Sequence, residues 1–350
     1  MSIINNILYK YLFFNDYSEG AHPEILKALE ETNLHQEAGY GEDSYTNNAK
    51  KIIRTVIRND QADIHFVSGG TQANLIVIEF LLKPFESVIS PSFGHINTHE
   101  AGAVEATGHK IEAVETKDGK ITLEGIRKKV EVFENEHTAK PKAVFISQAT
   151  EYGTIYSKKE LTEISRFCKE KQLILYLDGA RLGSAVTCKD SDLTIADIAK
   201  LVDVFYIGGT KNGALFGEAI VFTNNKLGTD FRFYLKRRGA LLSKGRGIGV
   251  QFLTLFKNSL YFDLARHANN MAEKLRQGIK KSGYEFLTPS PSNQIFPIFP
   301  NKLIKKIEEL YGFYVWEKVN DKKSAIRLVT SWATEEDAVG EFLRDLKNLS

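Results

Sequence analysis

Short runs of apolar, largely β-branched residues alternate through the first two thirds of the chain with stretches whose apolar positions recur at helical spacing. The runs over 63–67, 87–90, 142–147, 173–177, 204–207 and 219–222 predict strands, and their near-continuous apolar character predicts burial on both faces. The periodicity over 45–57, 71–82, 122–133 and 158–171 predicts amphipathic helices between them. Such alternation points to an α/β fold built on a mostly parallel, mixed sheet.

The pattern changes after residue 245. Helical stretches over 250–258 and 261–281 come first. Short apolar segments at 284–287 and 294–298, a helix over 302–311, a run over 325–330 and a last helix from Glu335 follow. Strands and helices segregated in this way predict a smaller α+β C-terminal domain. The expected division is a large domain over 15–245 and a small one over 246–350, with a linking helix able to hide the boundary. Residues 1–14 are expected to pack with the small domain or with a partner subunit. A chain of 350 residues is too long for one ordinary core, so two domains are also the expectation from length.

Composition removes several function classes. The 46 basic and 44 acidic side chains leave a formal net charge of +2, which gives no electrostatic reason to expect nucleic acid or an anionic membrane as a partner. No apolar run is long enough to span a bilayer. The first ten residues lack the basic start and small-residue cleavage site of a signal peptide, so the expected location is cytoplasmic. Cys168 and Cys188 show neither a disulfide framework nor metal-type spacing. No internal repeat or low-complexity tract interrupts the chain.

Four segments carry chemistry. Asp178-Gly179-Ala180-Arg181 ends the strand over 173–177, and ligands of open α/β sheets bind outside the carboxyl ends of strands. A carboxylate there suits a ring nitrogen, although it would also serve as a helix cap. Lys211 sits in Gly208-Gly209-Thr210-Lys211-Asn212-Gly213, where glycines let the backbone come close to a ligand and a partly desolvated amine could condense with a carbonyl. Alone it would read as a solvated lysine. An aspartate and a lysine after successive strands are, however, the two protein groups that pyridoxal phosphate needs. Ser68-Gly69-Gly70-Thr71-Gln72 opens the helix over 71–82 and makes a ready anion site, or an ordinary strand–turn–helix. It is not a Walker loop, and Gly245-Arg246-Gly247-Ile248-Gly249 is not a dinucleotide fingerprint, since no strand precedes it. His95, in Ser92-Phe93-Gly94-His95-Ile96-Asn97-Thr98-His99-Glu100, would fit a ring stacked on a cofactor. Its spacing to His99 suggests a metal pair, but Ile96 stands where the zinc-protease pattern has Glu, and no metal is expected.

Together these residues resemble the low-specificity L-threonine aldolases, in the β-eliminating lyase group of aminotransferase-like (fold type I) pyridoxal-phosphate enzymes. The resemblance rests on Phe14-Asn15-Asp16-Tyr17-Ser18, Gly20-Ala21-His22-Pro23, Gly39-Tyr40-Gly41-Glu42-Asp43, Gly69-Gly70-Thr71, Gly94-His95-Ile96, Asp178-Gly179-Ala180-Arg181, Gly208-Gly209-Thr210-Lys211 and Ile326-Arg327-Leu328-Val329-Thr330, in the family's order along nearly the whole chain.

The resemblance implies that Lys211 carries pyridoxal 5′-phosphate as a Schiff base, that Asp178 keeps the ring nitrogen protonated, and that Ser68, Gly69, Gly70 and Thr71 bind the phosphate. It further implies that His95 stacks on the ring and takes part in proton transfer. Arg181 and Arg327 would bind the carboxylate of an amino acid substrate, and the Asn15-Asp16 region would close over it. The implied assembly is a homodimer or homotetramer with shared sites, Tyr40 and Arg246 reaching a neighbour's cofactor.

One departure stands out. Many members of the family carry a second histidine in the segment matching 147–153, where this chain offers Glu151 as its ionisable group. The expected reaction is retro-aldol cleavage of L-threonine or L-allo-threonine to glycine and an aldehyde, with His95, or a water it holds, as base and Glu151 as the second candidate. The alternatives are β-elimination from another amino acid with the same lysine, aspartate and arginines, and a non-catalytic amino-acid-binding regulator.

Overall fold

The computed structural model describes residues 2–4, 7–133 and 135–350. Near the start, β1 (Ser2–Ile4) and β2 (Ile7–Tyr9) pair antiparallel, and the two-residue strand β3 (Tyr11–Leu12) follows. The main sheet then takes seven strands: β4 (Asp63–Val67), β5 (Glu86–Pro91), β6 (Lys110–Val114), β7 (Lys140–Ser147), β8 (Ile174–Asp178), β9 (Val204–Gly208) and β10 (Glu218–Phe222). Their spatial order is β4-β10-β9-β8-β7-β5-β6. All neighbours pair parallel except β10, which runs against both β9 and β4.

The alternation of side chains through this sheet explains its burial. In β7, Val144 and Ile146 join one core while Ala143 and Phe145 join the other; in β8, Leu175 and Leu177 face away from Tyr176. The first core is closed by Ile25 of helix Pro23–Thr32, Ile53 and Ile57 of helix Ser44–Ile57, and Leu161 of helix Lys158–Glu170. The second is closed by Ile76 and Val77 of helix Gly70–Leu81 and by Phe231 and Leu235 of helix Phe231–Arg237. The result is a three-layer fold of the aminotransferase type I class.

The C-terminal strands are β11 (Gln294–Ile295), β12 (Ile298–Pro300), β13 (Tyr311–Gly312), β14 (Tyr314–Lys318) and β15 (Lys323–Val329). β11, β12 and β14 all pair antiparallel with β15, whereas β13 pairs parallel with β3. A third core gathers Phe13, Leu275, Phe299, Ile326, Leu328 and Phe342. Helix Leu260–Lys281 serves two cores, with Tyr261 and Leu264 in the first and Leu275 and Ile279 in the third. Helix Arg246–Lys257 adds Ile248, Phe252 and Leu255 to the first.

Several local expectations change. The segment expected over 284–287 contributes only a single bridge, Phe286 to Pro297, and the one over 294–298 divides into β11 and β12. β6, β14 and helix Pro23–Thr32 have no counterpart in the sequence reading. β6 lies at the sheet edge and is only partly buried, and β14 is mostly exposed, so neither shows a continuous apolar run.

Candidate active site

The parallel strands bring their carboxyl ends to one edge of the sheet. There Asp178 closes β8, Ser68 follows β4, and Lys211 follows β9 within the turn to β10. Two glycines make the approach possible. A Cβ on Gly179 would lie 1.8 Å from the backbone oxygen of Tyr206, and one on Gly208 would lie 2.3 Å from that of Ala180. The two backbones instead touch, with Gly208 N–H donating to Gly179 O at 2.9 Å. Any side chain there would push the aspartate and lysine loops apart.

A cleft of about 420 Å³ opens over this edge, lined by Tyr17, His95, His99, Glu151, Arg181, Lys211, Gln294, Tyr314, Val315, Trp316 and Arg327. Among the described residues the Lys211 amine has no hydrogen-bond or ion-pair partner; the Tyr17 ring centroid lies 5.9 Å from Nζ. Burial first, and then the charge of Arg181, push the lysine below its ordinary range, against the pull of Asp16, Asp178 and Glu218. Below the lysine loop, Glu218 accepts from Gly209 N–H at 2.9 Å, and burial pushes its carboxyl up to about 8.

Asp178 is only 4% exposed. Its Oδ1 accepts from the Tyr206 hydroxyl at 2.6 Å and from Ala180 N–H at 2.9 Å, and its Oδ2 accepts from Asn74 at 3.2 Å. The Tyr206 hydroxyl also lies under Gly70, 3.0 Å from where a Cβ would stand. The helix Gly70–Leu81 therefore begins directly beside Asp178. Its first turn has no side-chain cap, and the space over Gly69 is open. Ser68 bonds to Gln72 through both its N–H and its hydroxyl, at 3.1 and 2.9 Å, which leaves the N–H groups of the first turn free for an anion.

Arg181 donates to Asp16 from Nε at 2.8 Å and from Nη2 at 2.9 Å. Burial alone would raise the Asp16 carboxyl, but Arg181, Lys211 and the Asn293 amide hold it below the carboxylate range. Arg327 has no such carboxylate among the described residues. Its Nη2 donates to Phe14 O at 3.2 Å, its Nε is buried without a partner, and its guanidinium lies 4.9 Å from the Trp316 ring centroid and 5.4 Å from that of Tyr314. Burial, then the nearby charge of Arg181, push it down to about 10.

His95 lines the cleft with its ring against that of His99, the centroids 5.5 Å apart and the planes 18° from parallel. Its Nδ1 meets Glu100 at 2.7 Å, and its backbone N–H donates to Glu151 Oε1 at 3.0 Å. The other oxygen of Glu151, Oε2, is buried and without a partner among the described residues, and burial followed by the charge of Asp178 raises this carboxyl above its ordinary range.

The remaining sequence candidates sit elsewhere. Asn15 shapes the entry loop, its side-chain oxygen accepting from Tyr17 N–H at 2.9 Å and Ser18 at 3.1 Å. Thr71 is exposed on the helix start, near Ser68. Tyr40 lines a separate hollow with Lys50, His65 and Arg232. Arg246 lines another and turns its guanidinium onto the carbonyls of Thr32, Asn33 and His35 at the end of helix Pro23–Thr32. The basic trio Lys236-Arg237-Arg238 is partly spent on Glu79, which Arg238 grips at 2.7 Å with two nitrogens. Asn74, Tyr206, Glu218 and Trp316 belong to the site and were not singled out from sequence, because none lies in a glycine-rich or otherwise marked segment; Glu100 closes the marked segment over 92–100 but was given no role there.

A lysine and an aspartate at neighbouring strand ends of this sheet, with a bare helix start beside them, define a class. The chain belongs to the beta-eliminating lyase family, whose model matches residues 16–299. Within it, the chain is 33% identical over 342 residues to the low specificity L-threonine aldolase of Pseudomonas sp. (strain NCIMB 10558), covering 96% of each chain. It is 32% identical to that of Pseudomonas aeruginosa, again over 96% of each. Among solved structures, the threonine aldolase of Leishmania major superposes with a TM-score of 0.95 at 46% identity, covering 97% of this chain and 99% of that one. An aspartate aminotransferase from Thermus thermophilus, with a TM-score of 0.72 at 15% identity over 98% and 92% of the two chains, shares the fold.

Proposed function

We propose that this chain cleaves L-threonine or L-allo-threonine into glycine and acetaldehyde with pyridoxal 5′-phosphate as cofactor. The observation that carries the reading is the Lys211 amine, without a partner among the described residues, in the same cleft as Arg181 and Arg327 and within the field of Asp178. The residues fit the cofactor: an amine without a partner, a carboxylate for a ring nitrogen, and an open cradle over Gly69 at an uncapped helix start. Lys211 and Asp178 would hold it, with Ser68, Gly69, Gly70 and Thr71 on its phosphate and His95 and Arg181 beside it. Tyr40 and Arg246 are candidates to reach it from a second copy. When bound, the cofactor supplies an electron sink for the bond broken at the α-carbon.

The side chains then divide the work. Arg327, with no carboxylate of its own among the described residues, binds the substrate carboxylate by charge-assisted hydrogen bonds, with Arg181 adding its field. The rings of Trp316 and Tyr314 lie beside that guanidinium and favour its charge. His95 receives the β-hydroxyl proton at Nε2, directly or through a water. Glu151 is the second candidate, its Oε2 free for a proton. Asp178 keeps a proton on the cofactor ring nitrogen.

The test is product analysis with the cofactor and each threonine isomer, with Lys211→Ala as control. Glycine and acetaldehyde, lost in the variant, are the expected outcome; ammonia and a keto acid would replace the reading by β-elimination. With it go three further proposals: a large domain over 15–245 and a small one over 246–350, a homodimer or homotetramer with shared sites, and a cytoplasmic location. No described helix is long and apolar enough to cross a membrane.

A further inference from the structure

His95 is held by two carboxylates, one at its backbone and one at its ring. Glu151 accepts its backbone N–H, and Glu100 meets its ring nitrogen Nδ1 at 2.7 Å. The Glu100 side chain is 0% exposed. Its Oε1 also accepts from Nδ2 of Asn74 at 2.7 Å. Asn74 is itself fully buried, donates from the same nitrogen to Oδ2 of Asp178 at 3.2 Å, and accepts from the Tyr176 hydroxyl at 2.8 Å. One amide thus bridges two carboxylates. The second oxygen of Glu100, Oε2, is buried with no partner among the described residues, an arrangement that costs stability. An apolar side chain would fill the same place more cheaply. The carboxylate therefore has a purpose other than packing, and the group it touches in the cleft is His95.

An ionised carboxylate only accepts hydrogen bonds. The Glu100 oxygen that meets Nδ1 is the one that already accepts from Asn74, so Nδ1 is the donor to it, and in a neutral ring the lone pair then lies on Nε2. We propose that Glu100 and Asn74 are positioning residues for His95: the carboxylate fixes the imidazole with its proton on Nδ1 and its lone pair on Nε2, and the Asn74 amide ties that carboxylate to Asp178. The use made of Nε2 as a proton acceptor rests on the aldolase reading; the fixed tautomer does not. The stacked ring of His99 covers one face of the imidazole, so the orientation set by Glu100 is also confined sterically.

The test has two parts. Nitrogen-15 NMR of the histidine-labelled full chain without cofactor, with the His95 signals identified by their loss in His95→Asn, reads the tautomer directly. The expected result is the Nδ1–H form; an Nε2–H form overturns the proposal without any variant at Glu100 having to fold. In Glu100→Gln the carboxamide can donate to Nδ1 as well as accept from it, so the Nε2–H form should appear. With cofactor and threonine, kcat of that variant should fall on the order of 10²-fold while KM stays nearly constant. An unchanged tautomer together with unchanged kcat overturns the role of Glu100. A wild-type chain in the Nδ1–H form that makes no glycine supports the positioning and overturns the threonine reading, so the two failures are told apart.

Discussion

Arg181 and Asp16 grip each other through two parallel hydrogen bonds of 2.8 and 2.9 Å, and their side chains are 12% and 1% exposed. The sequence assigned both to the substrate. Their mutual pairing gives this arginine fork a carboxylate from the protein itself and leaves Arg327 as the guanidinium in the cleft without one among the described residues. Removing one partner of such a pair leaves a buried charge uncompensated. Asp16→Asn should therefore destabilise the fold by about 3–5 kcal/mol, read from urea unfolding.

The same pair sets an acid limit. The native Asp16 carboxyl lies below its ordinary value of 3.8, so its contribution to stability is fully present above that value and is lost as pH falls through the lower native one. Stability measured below about pH 4 should decline more steeply in the wild type than in Asp16→Asn. Parallel acid limbs in the two proteins would remove Asp16 from the acid response.

Lys211 should be the lysine that captures the cofactor. Its amine is lowered by burial and by Arg181, which enlarges its neutral, nucleophilic fraction near neutral pH. Borohydride reduction after incubation with pyridoxal phosphate, followed by peptide mass analysis, should place the added mass on the peptide containing Lys211. Label spread evenly over surface lysines would contradict the assignment.

Arg327 and Trp316 should separate in kinetics. Arg327→Ala removes a charge-assisted contact of about 1.5–3 kcal/mol, lowering kcat/KM for threonine by roughly ten- to a hundredfold. Trp316→Ala removes only the ring against which the guanidinium rests, an interaction of about 0.5–2 kcal/mol, so the loss should be smaller and fall mainly on KM. Equal losses would mean that the ring touches substrate itself.

Asp178→Ala should bind cofactor yet lose turnover, by about 10²- to 10³-fold if its charge acts in the manner of other preorganised electrostatic groups. Cofactor absorbance reports the binding and steady-state rates report the loss. Unchanged turnover would exclude Asp178 from the chemistry.

The sequence revealed the site where loops carried unusual residues, and it failed where geometry alone did the work. β4 and the interior strands β5, β7, β8, β9 and β10 were legible because burial makes their apolar runs nearly continuous. The direction of β10 was not, since a strand buried on both faces reads the same either way along the chain. Asp178 and Lys211 stood out as charged residues directly after such runs. Glu100 closed the segment around His95, but its bond to that histidine was not legible, because five residues match no helical or strand period and the contact is made across a turn. The partners of Arg327 escaped notice for a related reason: Tyr314 and Trp316 lie on β14, whose burial follows no regular alternation.

The reversed strand β10 has a consequence for how the site tolerates change. Its residue Glu218 pairs with Val67 on one side and with Gly208 on the other, so the loop bearing Lys211 and the turn bearing Ser68 and Gly69 are both anchored to one end of one strand. A slip of one residue in β10 would turn every one of its side chains to the opposite face and move both anchors together. Substitutions in the lysine turn and in the glycine turn should consequently be epistatic, even though the two segments lie more than a hundred residues apart in the chain.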